Sequence, residues 1–227
     1  LMATVSQQIS RITSRFKKDP NNEVVSTTSI LAFLNEAQDM IEAQVVLPAM
    51  QSSSTITLVA GTQEYSLASN VFKLVLARYQ TNDWILKERN MHQIQARFDN
   101  STGSPQEFYI WGGTIGLYPT PSANEAAGVK YWYIKTLSEL VESGAGAGQV
   151  TTSELPENFH WVLERGAEML MAQSLQDERA ELFEGKFMQG IQLMKQRYAT
   201  MTDNLDTELI ADDELDNKST WNFNPYQ

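Results

Sequence analysis

The sequence predicts an α+β protein whose chain runs helix, strands, helix and then an acidic tail. Three observations carry this reading. Apolar residues recur at helical spacing near both ends of the folded region. Alternating runs punctuated by glycine fill the middle, and carboxylates crowd together after Asp203.

The first helix is marked by Val5, Ile9, Ile12 and Phe16, which share one stripe. Lys17-Lys18 suit its C-terminal end, and Asp19-Pro20-Asn21-Asn22 breaks it. The cluster Ser26-Thr27-Thr28-Ser29 offers hydroxyls that cap a second helix. Its buried stripe is expected to be Ile30, Phe33, Leu34, Ala37, Ile41 and Val45, with Pro48 as the stop.

The character changes after Ser52-Ser53-Ser54. Thr55–Val59 alternates, Ala60–Gln63 turns, and Glu64–Leu67 resumes an extended run. Val71–Arg78, Phe108–Trp111, Thr114–Tyr118 and Val129–Lys135 read as strands. Gly112-Gly113 between two of them predicts a hairpin, because both central residues of a type I′ turn need positive φ. Pro119 and Pro121 are expected to end that ladder. Glu88–Phe98 reads as a short helix with Met91, Ile94 and Phe98 on one side.

Gly144–Gly148 is a flexible linker or loop ahead of Leu155-Pro156-Glu157, where helices return. Phe159, Val162, Leu163, Gly166, Met169, Leu170 and Gln173 are expected to share one face. Phe183, Phe187, Ile191, Met194 and Tyr198 form the stripe of a closing helix. After it come Asp203, Asp206, Glu208, Asp212, Asp213, Glu214 and Asp216, and then Trp221, Phe223 and Tyr226. A solvated acidic run has little use for three exposed aromatics, so residues 203–227 read as an arm that orders on a partner.

Composition narrows the function. With 42% hydrophobic and 20% charged residues in 227, the chain can bury a core of its own. Cysteine is absent, which removes disulfides, thiolate metal sites and cysteine nucleophiles together. A net charge of -11 argues against gripping nucleic acid through phosphates, yet it suits a wall past which a duplex slides. The opening residues are amphipathic rather than signal-like, and apolar runs such as Val71–Ala77 are too short to cross a bilayer. The protein is therefore expected to be soluble, with no membrane anchor.

No catalytic constellation is evident. His92 and His160 lack metal-ligand spacing and are read as surface or half-buried histidines. Gly112-Gly113-x-x-Gly116 has no following Lys-Ser/Thr and is a turn, not a phosphate loop. Asp177-Glu178 and Asp212-Asp213-Glu214 lack the spaced ligands of a calcium loop and are read as surface carboxylates. The β region is rich in aromatics: Tyr65, Tyr79, Trp84, Phe108, Tyr109, Trp111, Tyr118, Tyr131, Trp132 and Tyr133. Tyr131 and Tyr133 must face away from Trp132, so one set is core and the other is expected to be an interface, a sugar platform being its rival.

Taken in order, Phe33–Ile41 (FLNEAQDMI), the β-rich insertion, Pro105–Pro121 (PQEFYIWGGTIGLYPTP), Lys130–Lys135 (KYWYIK), Leu155–Leu163 (LPENFHWVL) and the helix ending at Tyr198 resemble tailed-bacteriophage head-to-tail connector proteins, also called adaptor or neck-ring proteins. The likeness spans Ser26 to Tyr198. In that family a hairpin ending in lyPtP precedes a strand, and an lP turn leads into two closing helices.

The resemblance implies no catalytic residue and no cofactor. It implies an antiparallel helical bundle from the N- and C-terminal helices, a central β-rich insertion domain and an extended C-terminal arm. The corresponding boundaries are 1–54, 55–137, 138–202 and 203–227, with Ser29–Leu47 and Pro156–Tyr198 as the bundle helices. It further implies a homo-oligomeric ring, commonly twelvefold, below the portal protein. Tail or nozzle proteins lie beyond, and genomic DNA passes through without specific binding. Trp221, Phe223, Tyr226, Trp111 and Trp132 are the candidate partner-binding residues. The rival readings are another tail or tail-completion protein, a sugar- or receptor-binding module using the aromatic β face, and a hydrolase built on two carboxylates a few ångströms apart.

Overall fold

The computed structural model describes residues 3–16, 26–97 and 101–198. They form a mixed α+β structure with five helices among the described residues. In chain order, α1 (Val5–Phe16) and α2 (Thr27–Glu42) come first. Then follow β1 (Gln51–Leu58), β2 (Glu64–Ser66), β3 (Val71–Tyr79), β4 (Trp84–Ile85), β5 (Lys87–Glu88) and α3 (Met91–Gln95). Next are β6 (Thr102–Gly103), β7 (Glu107–Trp111), β8 (Thr114–Tyr118), β9 (Thr120–Pro121), β10 (Glu125–Lys135), β11 (Glu139–Leu140) and β12 (Gln149–Val150). Helices α4 (His160–Ser174) and α5 (residues 180–198) close the described chain. It divides into two compact units, one of residues 1–47 and 137–227 and the other Pro48–Thr136.

The helical unit is built on the expected stripes. On α1, Val5, Ile9, Ile12 and Phe16 are buried; on α5, so are Phe183, Phe187, Ile191 and Met194. The Ser26 hydroxyl caps α2 by accepting from the Ser29 N–H at 3.1 Å. Two glycines set how closely the helices pack. A Cβ on Gly166 of α4 would lie 2.7 Å from Ala37 of α2 and 2.8 Å from Phe187 of α5. One on Gly190 of α5 would lie 2.6 Å from Val162 of α4. Helix α4 is therefore gripped from two sides through positions that admit no side chain.

Three expectations about helices need correction. Helix α2 ends at Glu42, five residues before Leu47. Val45 and Leu47 are both buried, and a continuing helix would set them about 200° apart, so one face could not bury both. Helix α4 does not bury a single face. His160, Glu164, Ala167, Glu168, Met171 and Ala172 are buried as well, whereas Gln173 is exposed and Leu170 only half-buried. His160 is 4% exposed, not a surface residue, and its Nε2 lies 2.9 Å from the Leu155 carbonyl.

The β unit holds two four-stranded sheets, ordered β1-β10-β3-β4 and β2-β8-β7-β5. Their apolar faces supply one core: Ile56 and Leu58, Leu74, Ala77 and Tyr79, Val129, Tyr131 and Tyr133 from the first sheet, and Phe108, Ile115 and Leu117 from the second. Strand β1 begins at Gln51, so Ser52-Ser53-Ser54 are strand residues and not a break. The β7–β8 hairpin has the expected turn, with φ of 56° at Gly112 and 79° at Gly113. Tyr109 sits opposite Gly116, and its ring fills the space a Cβ would occupy at 2.1 Å. Pro119 ends β8, but Pro121 continues into a short parallel pair with β6. Helix α3 is shorter than expected; Asn90 caps it and Ile94 is its buried residue.

Candidate interaction surfaces

Among the exposed apolar side chains of the β unit, Phe72 and Ile110 line a common groove. Strand β3 pairs with β10 as Lys73↔Ile134 and Val71↔Lys135, which leaves Phe72 as the extra residue of a bulge. A bulge re-aims its side chain, and Phe72 is 67% exposed. Phe72 and Ile110 line a groove of about 440 Å³ together with Leu67, Val71, Lys73 and Glu88. Trp111, the residue before the Gly112-Gly113 turn, is 61% exposed. A hairpin tip projects its flanking side chains past the sheet core, which accounts for the exposure of Trp111. Phe72 escaped notice because it lies in a run that reads as uniform strand, and the bulge is set by pairing with β10.

Trp132 is half-buried, with the Lys130 ammonium 4.7 Å from its ring centroid. The structure thus separates the two aromatic sets of β10: Tyr131 and Tyr133 are core, their rings 5.3 Å apart, and Trp132 lies on the opposite face. Most other aromatics of the β unit are not free to act as a platform. Tyr79, Phe108 and Tyr109 are buried, and the Trp84 indole donates to the Pro105 carbonyl at 2.8 Å. Trp111 sits on β7 and Trp132 on β10, strands of different sheets. Trp221, Phe223 and Tyr226 lie outside the described residues.

Polar groups in the interior serve structure. Arg11 and Arg15 on α1 match the four-residue spacing of Glu164 and Glu168 on α4. Arg11 donates to Glu164 at 3.0 Å, and Arg15 reaches Glu164 at 3.1 Å and Glu168 at 2.5 Å. Arg165 also pairs with Glu168. Burial of Arg15 works against its charge, but the two carboxylates outweigh this and raise its pKa. Asp177 is engaged by Arg179, whose hydrogen bonds hold the carboxyl below its ordinary range, so one of the two carboxylates of Asp177-Glu178 is committed to an ion pair. Tyr109 donates to Glu64 at 2.7 Å; burial first, and then that carboxylate, pushes its hydroxyl up to about 12. Among the described residues no cluster of three His, Asp or Glu could hold a metal ion, and no helix is long and apolar enough to cross a membrane.

None of the curated proteins matches the chain. The profile of the SU10 adaptor protein family matches residues 3–207, from the start of the helical unit through both units to the acidic segment. That match covers most of the chain and includes the hairpin, β10 and the closing helices on which the resemblance rested. The chain therefore belongs to the SU10 adaptor proteins, a family of bacteriophage head-to-tail adaptors and so of structural, non-enzymatic virion components.

Proposed function

We propose that this adaptor assembles as a homo-oligomeric ring below the portal, joins capsid to tail and lines the channel through which DNA leaves. The family match over residues 3–207 is the observation that carries the reading. In it, α1, α2, α4 and α5 form an antiparallel bundle that packs around the ring. The β-rich unit is carried as an insertion, and residues 203–227 reach a neighbouring protein.

Charge supports the channel role. A net charge of -11 leaves a duplex unbound and free to slide, because like charges repel. The charge is also unequally divided. Residues 48–136 carry seven Lys and Arg against six Asp and Glu, so all of the net negative charge falls on the other unit. A ring needs contacts in which one face meets a different face of the next subunit, and unlike faces favour that geometry.

The test is the mass of the purified protein alone and mixed with its cognate portal ring, by native mass spectrometry. A stoichiometric ring on the portal is the expected result and supplies the copy number. Deleting Trp221–Gln227 should weaken assembly while leaving the monomer folded. A chain that ignores the portal and stays monomeric overturns the proposal.

A further inference from the structure

Strand β1 is an edge. It pairs with β10 on one side, and among the described residues no strand pairs with the other. Its sequence, QSSSTITL, contains no charge and no proline. Native sheets usually guard a long edge with Lys, with Pro, with a covering segment or by keeping it short. This edge runs eight residues; its single bulge, between Ile56 and Leu58, lies near the far end, so Gln51–Ile56 pair regularly. Among the described residues no second strand takes up the outward N–H and C=O groups of this edge.

We propose that β1 is completed by a strand from a second copy of this chain, formed by residues 220–224. This rests on the reading of residues 203–227 as a partner-seeking arm and names where the arm lands. Thr220-Trp221-Asn222-Phe223-Asn224 alternates polar and apolar, the pattern of a strand with one buried face, and Pro225 ends it. On β1, Ile56 and Leu58 are buried while Ser53, Thr55 and Thr57 are exposed, so even-numbered positions face the core side. An added strand buries Trp221 and Phe223 on that same side, next to the small Ser52 and Ser54, and leaves Asn222 beside Ser53 and Thr55. The small serines leave room for the large rings.

Charge and reach agree with this occupant. Residues 203–227 carry seven carboxylates and one lysine, and β1 presents no carboxylate to repel them. Lys130 of β10 lies directly across from Thr55, on the exposed face of the sheet. The 22 residues between Tyr198 and Trp221 span up to about 70 Å, ample for a neighbouring subunit.

The absence of cysteine makes the test clean. Full-length Ser53→Cys is mixed with full-length Asn222→Cys, or with Phe223→Cys, in the presence of the cognate portal ring, and then oxidised gently. The expected result is a cross-linked heterodimer, formed several-fold more from the Asn222→Cys pair than from the Phe223→Cys pair. Ser54→Cys should show the reverse preference. That parity is the signature of strand pairing; chance collision has none. No cross-link, or equal cross-linking at both parities, overturns the edge-pairing proposal. If assembly still needs Trp221–Gln227, the arm reading survives that failure; if it does not, both fall.

Discussion

The two units of this adaptor solve the same packing problem with different materials. Every buried polar or charged side chain among the described residues belongs to the helical unit: Gln8, Gln38, Ser153, His160, Glu164 and Glu168. The core of the β unit is apolar and aromatic, and its polar atoms are tyrosine hydroxyls such as that of Tyr79, which donates to Glu125 at 2.5 Å. A helix wrapped on several sides has no free face to which its charges can be sent, so α4 needs arginines from α1. A sheet sends alternate residues to opposite sides and keeps its core dry by geometry alone. One unit therefore depends on matched charges, the other on matched shapes.

The largest effect should come from breaking the matched charges. Glu168→Ala leaves Arg15 and Arg165 without their shared acceptor and opens a void; because both arginines keep some contact with water, the loss is put at the low end for a buried pair, about 3 kcal/mol. Urea denaturation followed by far-ultraviolet dichroism would measure it. A loss near zero would mean that the network is ornamental and that the contrast between the units fails.

Matched shapes are tested by glycine. Gly116→Ala drives a methyl into the Tyr109 ring and Gly166→Ala drives one against Ala37 and Phe187, each at about 1–3 kcal/mol. If shape dominates in the β unit, Gly116→Ala is the more damaging. The rescue Gly116→Ala with Tyr109→Leu should then restore part of the loss.

Alkaline titration separates the units more finely. The folded Tyr109 hydroxyl is raised from 10 to about 12, so it favours folding below pH 10 and that contribution disappears as pH climbs through about 12. Tyr109→Phe should cost about 1 kcal/mol at neutral pH, through the lost bond to Glu64, and should flatten the decline between those pH values. Stability measured against pH with tyrosinate absorbance reads both.

The smallest effect on stability, within about 0.5 kcal/mol, is expected for Trp111→Ala, since its side chain is mostly in water. The same substitution should weaken ring assembly if the hairpin tip is an interface. Sugar-dependent quenching of wild-type fluorescence that Trp111→Ala abolishes would instead favour the carbohydrate reading.

The candidate surfaces were only partly legible beforehand. Trp111 could be nominated because the β region is crowded with aromatics of which one alternating set had to face away from the core, although local sequence did not say which. Phe72 could not, since its exposure follows from a bulge defined by a partner strand some sixty residues later. Arg11-x-x-x-Arg15 and Glu164-x-x-x-Glu168 were visible as spacings, but nothing local says that α1 lies against α4.

By itself the sequence determined the stripes of α1 and α5, the Ser26 cap, the β7–β8 hairpin and the strand character of β3 and β10. These are set by periodicity, hydroxyl chemistry and positive φ, which act within a few residues. Only the tertiary structure decided that α2 stops at Glu42, that α4 buries two glutamates, that Tyr131 and Tyr133 face inward while Trp132 faces out, and that β1 has an open edge. Each of those depends on which distant segment covers a given face, and burial is a property of neighbours that local sequence does not contain.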